Sequence, residues 1–130
     1  MNVQQSAFVA AQRIKNYVLE TPVEHSLWLS EETGADVWFK CENLQHTGSF
    51  KYRGAVNKLL SLSAAERSAG VVAASTGNHG AAVARAMSLL DTSGVIFVPE
   101  NASQTKLKTI EKYGAEVKMA GDDCVVAEAA

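Results

Sequence analysis

The sequence predicts an α/β fold: three layers, α-β-α, around a small parallel sheet. Short apolar runs at Val71–Ala74, Gly94–Val98 and Ala115–Met119 alternate with longer stretches of helical spacing at Ala81–Leu90 and Ser103–Tyr113. Each run is too short for a core helix and is punctuated by glycine or proline. The links between runs and helices are short, and strand–helix–strand order with short links implies right-handed crossovers and parallel strands.

Taken in order, apolar residues at Val3, Ala7, Val9, Ala10, Ile14 and Val18 predict an amphipathic helix over residues 3–19. Thr21-Pro22-Val23 breaks it, since proline and its predecessor resist helix continuation. By itself this tripeptide reads as a turn. Ser26 to Glu32 predicts a short helix ended by Thr33-Gly34. Residues 36–42, Asp-Val-Trp-Phe-Lys-Cys-Glu, alternate and are rich in strand formers. A helix from about Phe50 to Ser61 follows, then a short turn of helix that Ser63 and Glu66 cap at capping-box spacing. After the third apolar run, Asp122-Asp123 is placed to cap a last helix.

Composition narrows the function. In 130 residues, 47% are hydrophobic and 20% charged, with a net charge of −2. That is a normal globular balance, large enough for one core. No basic block suits a nucleic-acid backbone, and no apolar run reaches the ~18 residues that span a bilayer. Residues 1–5 lack the basic and apolar regions of a secretory leader. Cys41 and Cys124 make neither a disulfide framework nor a metal site by spacing, and no His/Cys/Asp/Glu cluster has ligand spacing. A cytoplasmic protein with free thiols, no metal, no membrane and no nucleic-acid partner is expected.

Two stretches carry candidate chemistry. Lys51 follows the turn-and-cap cluster Thr47-Gly48-Ser49 and opens the helix, with Ser49 as its N-cap. A cation in the first helical turn opposes the helix dipole, which favours the neutral amine that attack on a carbonyl needs. An arbitrary lysine in such a place is most often a surface residue snorkelling past its helix start. The second stretch is Ser75-Thr76-Gly77-Asn78-His79-Gly80, at the carboxyl edge of the first apolar strand, where ligands collect in open α/β sheets. Hydroxyls and helix-start amides there suit an anion, though glycines also serve plain strand-to-helix connections. His25 and His46 have nothing beside them to suggest ligation. No P-loop or dinucleotide-binding glycine pattern is present.

The run Thr47-Gly48-Ser49-Phe50-Lys51-Tyr52-Arg53-Gly54-Ala55 resembles the lysine motif T-G-S-F-K-x-R-G-A of the fold-type II pyridoxal-phosphate enzymes, the group of threonine dehydratase and serine racemase. Ser75–Gly80 resembles the S-x-G-N-H-[AG] loop of the same family, and Val98–Lys106 a third block with a structural role there. The resemblance implies that Lys51 forms an imine with pyridoxal phosphate and then removes the substrate's α-proton. It implies that Phe50 packs beside the pyridine and that Asn78 hydrogen-bonds the cofactor's 3-oxygen. Ser75, Thr76, Gly77 and His79 would surround the carboxylate of a small amino-acid substrate. Elimination of a β-hydroxyl from L-threonine or L-serine, giving a 2-oxo acid and ammonia, is the expected reaction. In serine racemases a serine matches Thr76, so racemisation is the alternative within the family.

The resemblance also implies a division into residues 1–48, leading to the lysine motif, and 49–130, a small α/β domain, with the phosphate-cradling loop and the C-terminal catalytic half absent. A truncated form is expected, with an apolar surface left uncovered and a homo-oligomer as the consequence. From another class, the rivals are an inert α/β remnant acting as an oligomerising or binding module and, more remotely, a nucleotide-binding domain.

Overall fold

The computed structural model describes residues 2–75 and 77–122. Its elements run α1 (Val3–Ile14), β1 (Val23–His25), α2 (Leu27–Thr33), β2 (Trp38–Lys40), a 3-10 turn (Glu42–Leu44), α3 (Lys51–Ser61), α4 (Ala64–Ala69), β3 (Val71–Ala74), α5 (Asn78–Leu89), β4 (Gly94–Val98), α6 (Gln104–Lys112) and β5 (Glu116–Met119). β3, β4 and β5 form a parallel sheet in that order, with Val71 opposite Gly94 and Val95 opposite Glu116. The expected parallel sheet is therefore present. Helices α5 and α6 pack against each other and against the sheet, and α3 lies along α5. The second helical layer of a three-layer sandwich is not among the described residues. The helix expected after Asp122-Asp123 also lies outside them.

Alternation along the short strands sorts their side chains. Ile96 and Val98 are fully buried with Tyr52, Val56 and Leu59 of α3, Ala82 and Ala86 of α5, and Ile110 of α6. Val72 points the other way and is 70% exposed. The small residues of α5, Ala81 through Ala84, let the helix lie close to both sheet and α3, as a small-residue helix should. Ser63 and Glu66 form the expected capping box on α4.

Three local expectations change. The first helix stops at Ile14, not near Leu19. The Gln45 side chain takes both the N–H and the C=O of Leu19, at 3.0 Å each, and Arg53 donates to the same carbonyl at 3.0 Å. These bonds draw the chain out of helical geometry and leave Tyr17 and Val18 packed on the core from a turn. Residues after Pro22 are not merely a turn: Val23–His25 pairs antiparallel with Trp38–Lys40, and Pro22 accepts from the Cys41 amide at 3.0 Å. Consequently the strand foreseen over residues 36–42 is shorter and belongs to a two-stranded ribbon of its own. The short helix α2 is as expected, with Ser26 as N-cap and Gly34 at φ 67° closing it.

Among the described residues, no helix is long and apolar enough to cross a membrane and no His/Cys/Asp/Glu group is placed to hold a metal. Cys41 is a free thiol.

Candidate functional site

Gly48 sets the direction of the chain into α3. Its φ of 70° is left-handed, where a side chain is strained, and its amide donates to the Gln45 carbonyl at 2.7 Å. The N-cap position of the helix is Phe50, not Ser49 as expected; buried Ser49 precedes it, and its Oγ accepts from the Lys51 amide at 3.3 Å. Phe50 stands between them with no capping contact of its own, its ring 62% exposed. Lys51 is the first helical residue, as expected, and its Nζ lies 5.1 Å from the centre of the Phe50 ring. Among the described residues Lys51 pairs with no carboxylate. Its amine is open to solvent.

Behind the lysine turn lies a polar clamp that sequence reasoning missed. Arg53 donates to both oxygens of Glu42, Nε to Oε2 at 2.8 Å and Nη2 to Oε1 at 2.7 Å, and Thr21 Oγ1 donates to Oε1 at 2.6 Å. The Arg53 hydrogen bonds lower the Glu42 pKa most; burial opposes them, and Thr21 and Lys40 add to the lowering. Lys40 Nζ donates to the Thr21 carbonyl at 2.6 Å. This clamp ties residues 19–22 and the two-stranded ribbon to α3. The arginine inside the lysine motif was the available signal.

The loop after β3 sits at the carboxyl end of the parallel sheet, where its type predicts. Ser75 is buried; its amide donates to the Phe97 carbonyl at 3.0 Å, and its Oγ accepts from Gly77 N at 3.1 Å. The hydroxyl proton of Ser75 is left to donate. Gly77 is the N-cap of α5, so the amides of Asn78, His79 and Gly80 occupy the first helical turn and lack intrahelical partners. Gly80 closes the loop onto the sheet. A Cβ there would lie 2.9 Å from Ile110 Cδ1 and 3.3 Å from Ser75 Cβ, and buried Ile110 has no room to move aside.

The two stretches meet. His79 is surface-accessible, yet the surrounding loop and helix partly desolvate its ring. That, and after it the charge of Lys51, lower its pKa. Partial burial first, and the Lys51 charge second, thus favour the neutral imidazole. Asn78 is exposed, and its Oδ1 accepts from Lys106 Nζ of α6 at 2.7 Å. Thr76 lies outside the described residues. Phe50, Lys51, Asn78 and His79 are exposed, Gly77 half-buried and Ser75 buried, so together they form an open shelf. A groove of about 520 Å³ between α1 and α3, lined by Ala10, Ile14, Val18, Arg53 and Gly54 among others, contains none of them.

The family model described as pyridoxal-phosphate dependent enzyme matches residues 14–130. An L-threo-3-hydroxyaspartate ammonia-lyase of a Pseudomonas species is 48% identical over 108 residues, covering 83% of this chain and 34% of that protein. The L-threonine ammonia-lyase of Thermotoga maritima is 44% identical over 113 residues, covering 87% of this chain and 28% of its own. The crystal structure of serine racemase from Dictyostelium discoideum superposes with a TM-score of 0.87 at 41% identity, over 96% of this chain and 41% of that one. The chain spans about a third of the length of the curated relatives it matches.

Proposed function

The chain belongs to the pyridoxal-phosphate dependent enzyme family, and on that premise we propose that it carries the lysine half of an ammonia-lyase site for small β-hydroxy amino acids. The reaction proposed is elimination from L-threonine or L-serine to a 2-oxo acid and ammonia. The observation that carries it is geometric: Lys51 opens α3 exposed and, among the described residues, without a carboxylate partner, and α3 packs along α5, whose start is the Gly77–Gly80 turn.

The residues present suit part of a pyridoxal group. Phe50 offers an exposed ring face beside the Lys51 amine, and at Gly77 a Cβ would meet nothing within 4 Å, so the loop leaves open space. The donor set matches an aldehyde, a ring oxygen and a carboxylate. Residues for the phosphate are not among those identified. When bound, the pyridine ring supplies the sink for electrons released at the substrate's α-carbon.

The chain's own residues have the remaining tasks. Lys51 Nζ would hold the cofactor through its aldehyde and, as a free amine, would take the substrate's α-proton. Asn78 Nδ2 donates to the ring oxygen. Ser75 Oγ, the first-turn amides of Asn78 and His79 and the neutral His79 ring would donate to the substrate carboxylate, with Thr76 proposed beside them. A neutral imidazole still has one N–H to give. Phe50 flanks the ring.

A second reading is an α/β module that works by association. Exposed Phe8, Leu27, Trp28, Trp38 and Phe39 favour it. We propose that this surface self-associates in either case, and that the protein resides in the cytoplasm, where the free Cys41 thiol stays reduced.

The test is to add pyridoxal phosphate and then L-threonine or L-serine, following the imine absorption band and 2-oxo acid release. A band with oxo acid is expected. Racemised serine without oxo acid would replace elimination by racemisation. No band at generous cofactor concentration would leave the associating module.

A further inference from the structure

Lys106 has no assigned chemistry, and its position in α6 is unfavourable by itself. It lies in the first turn of a helix whose N-terminal turn has no acidic residue. There its charge opposes the helix dipole. Instead of reaching a carboxylate, its Nζ crosses to the first residue of α5 and donates to Asn78 Oδ1 at 2.7 Å. Asn78 is exposed and Lys106 half-buried, but the bond itself lies at the surface, so water would serve each group nearly as well and the bond adds little to stability. What it does determine is orientation.

A side-chain amide has two ends that differ only in being acceptor or donor, and an exposed one samples both arrangements. An ammonium has donors and no acceptor. It can therefore hold only the Oδ1 end, which leaves Nδ2 as the end presented away from Lys106. Asn78 is free to be held in this way because Gly77, not Asn78, is the N-cap of α5. Among the described residues Nδ2 has no partner. The contact also draws electron density toward Oδ1, making the N–H groups stronger donors.

We propose that Lys106 is a positioning residue: it locks the Asn78 amide with Nδ2 turned toward the Lys51 side of the shelf, for an anionic ring oxygen. The inference rests on the cofactor reading above. It assigns a use to a block that otherwise only joins β4 to α6.

The test uses the full chain in two arms. In the first, the cofactor-free protein is labelled with nitrogen-15 and the Asn78 side-chain amide signals are identified by their loss in Asn78→Asp. Lys106→Met should move them to the shifts of a freely exposed amide, and Lys106→Arg should leave them near wild type. In the second, pyridoxal phosphate is added and the pH midpoint of the imine band is measured. An N–H given to the ring oxygen competes with the proton that oxygen shares with the imine nitrogen. Losing it in Lys106→Met should raise the midpoint, by up to about one pH unit, and Lys106→Arg should restore it.

Amide signals indifferent to Lys106→Met would overturn the inference, and so would a midpoint that does not move. If wild type gives no band, the cofactor reading fails and the amide arm alone decides whether Lys106 orients Asn78.

Discussion

Two regions of this chain are held together by different forces. Around α3, α5, α6 and the parallel sheet, Tyr52, Val56, Leu59, Ile96, Val98 and Ile110 are essentially inaccessible, and the packing is apolar. In the N-terminal part, from α1 through the two-stranded ribbon, large apolar side chains face outward: Trp28 is 70% exposed and Trp38 55%. Ile14, Tyr17 and Val18 anchor the end of α1 to the core, but the ribbon beyond it is held by polar contacts, the Glu42–Arg53–Thr21 clamp and Gln45 on Leu19. Lys51 stands at the seam. Its helix is anchored by the packed region, and the turn that aims it is anchored by the polar one.

The contrast is testable by substitution. Leu59→Ala removes a buried side chain among close-packed neighbours and should cost about 2–5 kcal/mol in urea unfolding. Glu42→Gln leaves Arg53 half-satisfied and should cost less, about 1–3 kcal/mol. Its pH signature separates it from packing. A depressed carboxyl contributes stability above its unfolded-state pKa, lost as pH falls through its folded value. The gap between wild type and Glu42→Gln should therefore narrow on going from about pH 7 to about pH 3, while the Leu59→Ala gap should not. A gap for Glu42→Gln that ignores pH would mean that the clamp is not ionic.

The smallest effect on stability is expected from Trp28→Ser, within about 0.5 kcal/mol. Its effect should appear instead in sedimentation, as weaker self-association. Unchanged association would move the contact surface elsewhere on the chain.

Much of this was legible in the sequence, for reasons that differ by region. The β3-to-β5 half announces itself because strand and helix periods alternate and glycines or Pro99 mark the ends. The Ser63–Glu66 box and the Thr33-Gly34 helix stop were legible because capping is local. The end of α1 was not, because it is set by Gln45, which is 26 residues from Leu19. β1 was missed because three residues after a proline carry no alternating apolar pattern and find their partner in Trp38–Lys40.

At the site, Lys51, Phe50 and the Ser75–Gly80 loop were readable as contiguous motifs. The Lys106 contact spans 28 positions and joins two helix starts. No local pattern signals such a pair. Local chemistry is legible one motif at a time, while contacts between motifs wait for the fold.

The central claim is that Lys51 is the amine that takes the cofactor aldehyde. Its most direct test is borohydride reduction of the protein mixed with pyridoxal phosphate, followed by peptide mass analysis, with Lys51→Ala in parallel. The account predicts a pyridoxyl mass on the peptide containing Lys51 in wild type and none at the corresponding position in Lys51→Ala. Label spread over Lys15, Lys58 and the other exposed lysines, with Lys51 no more modified than they are, would contradict it.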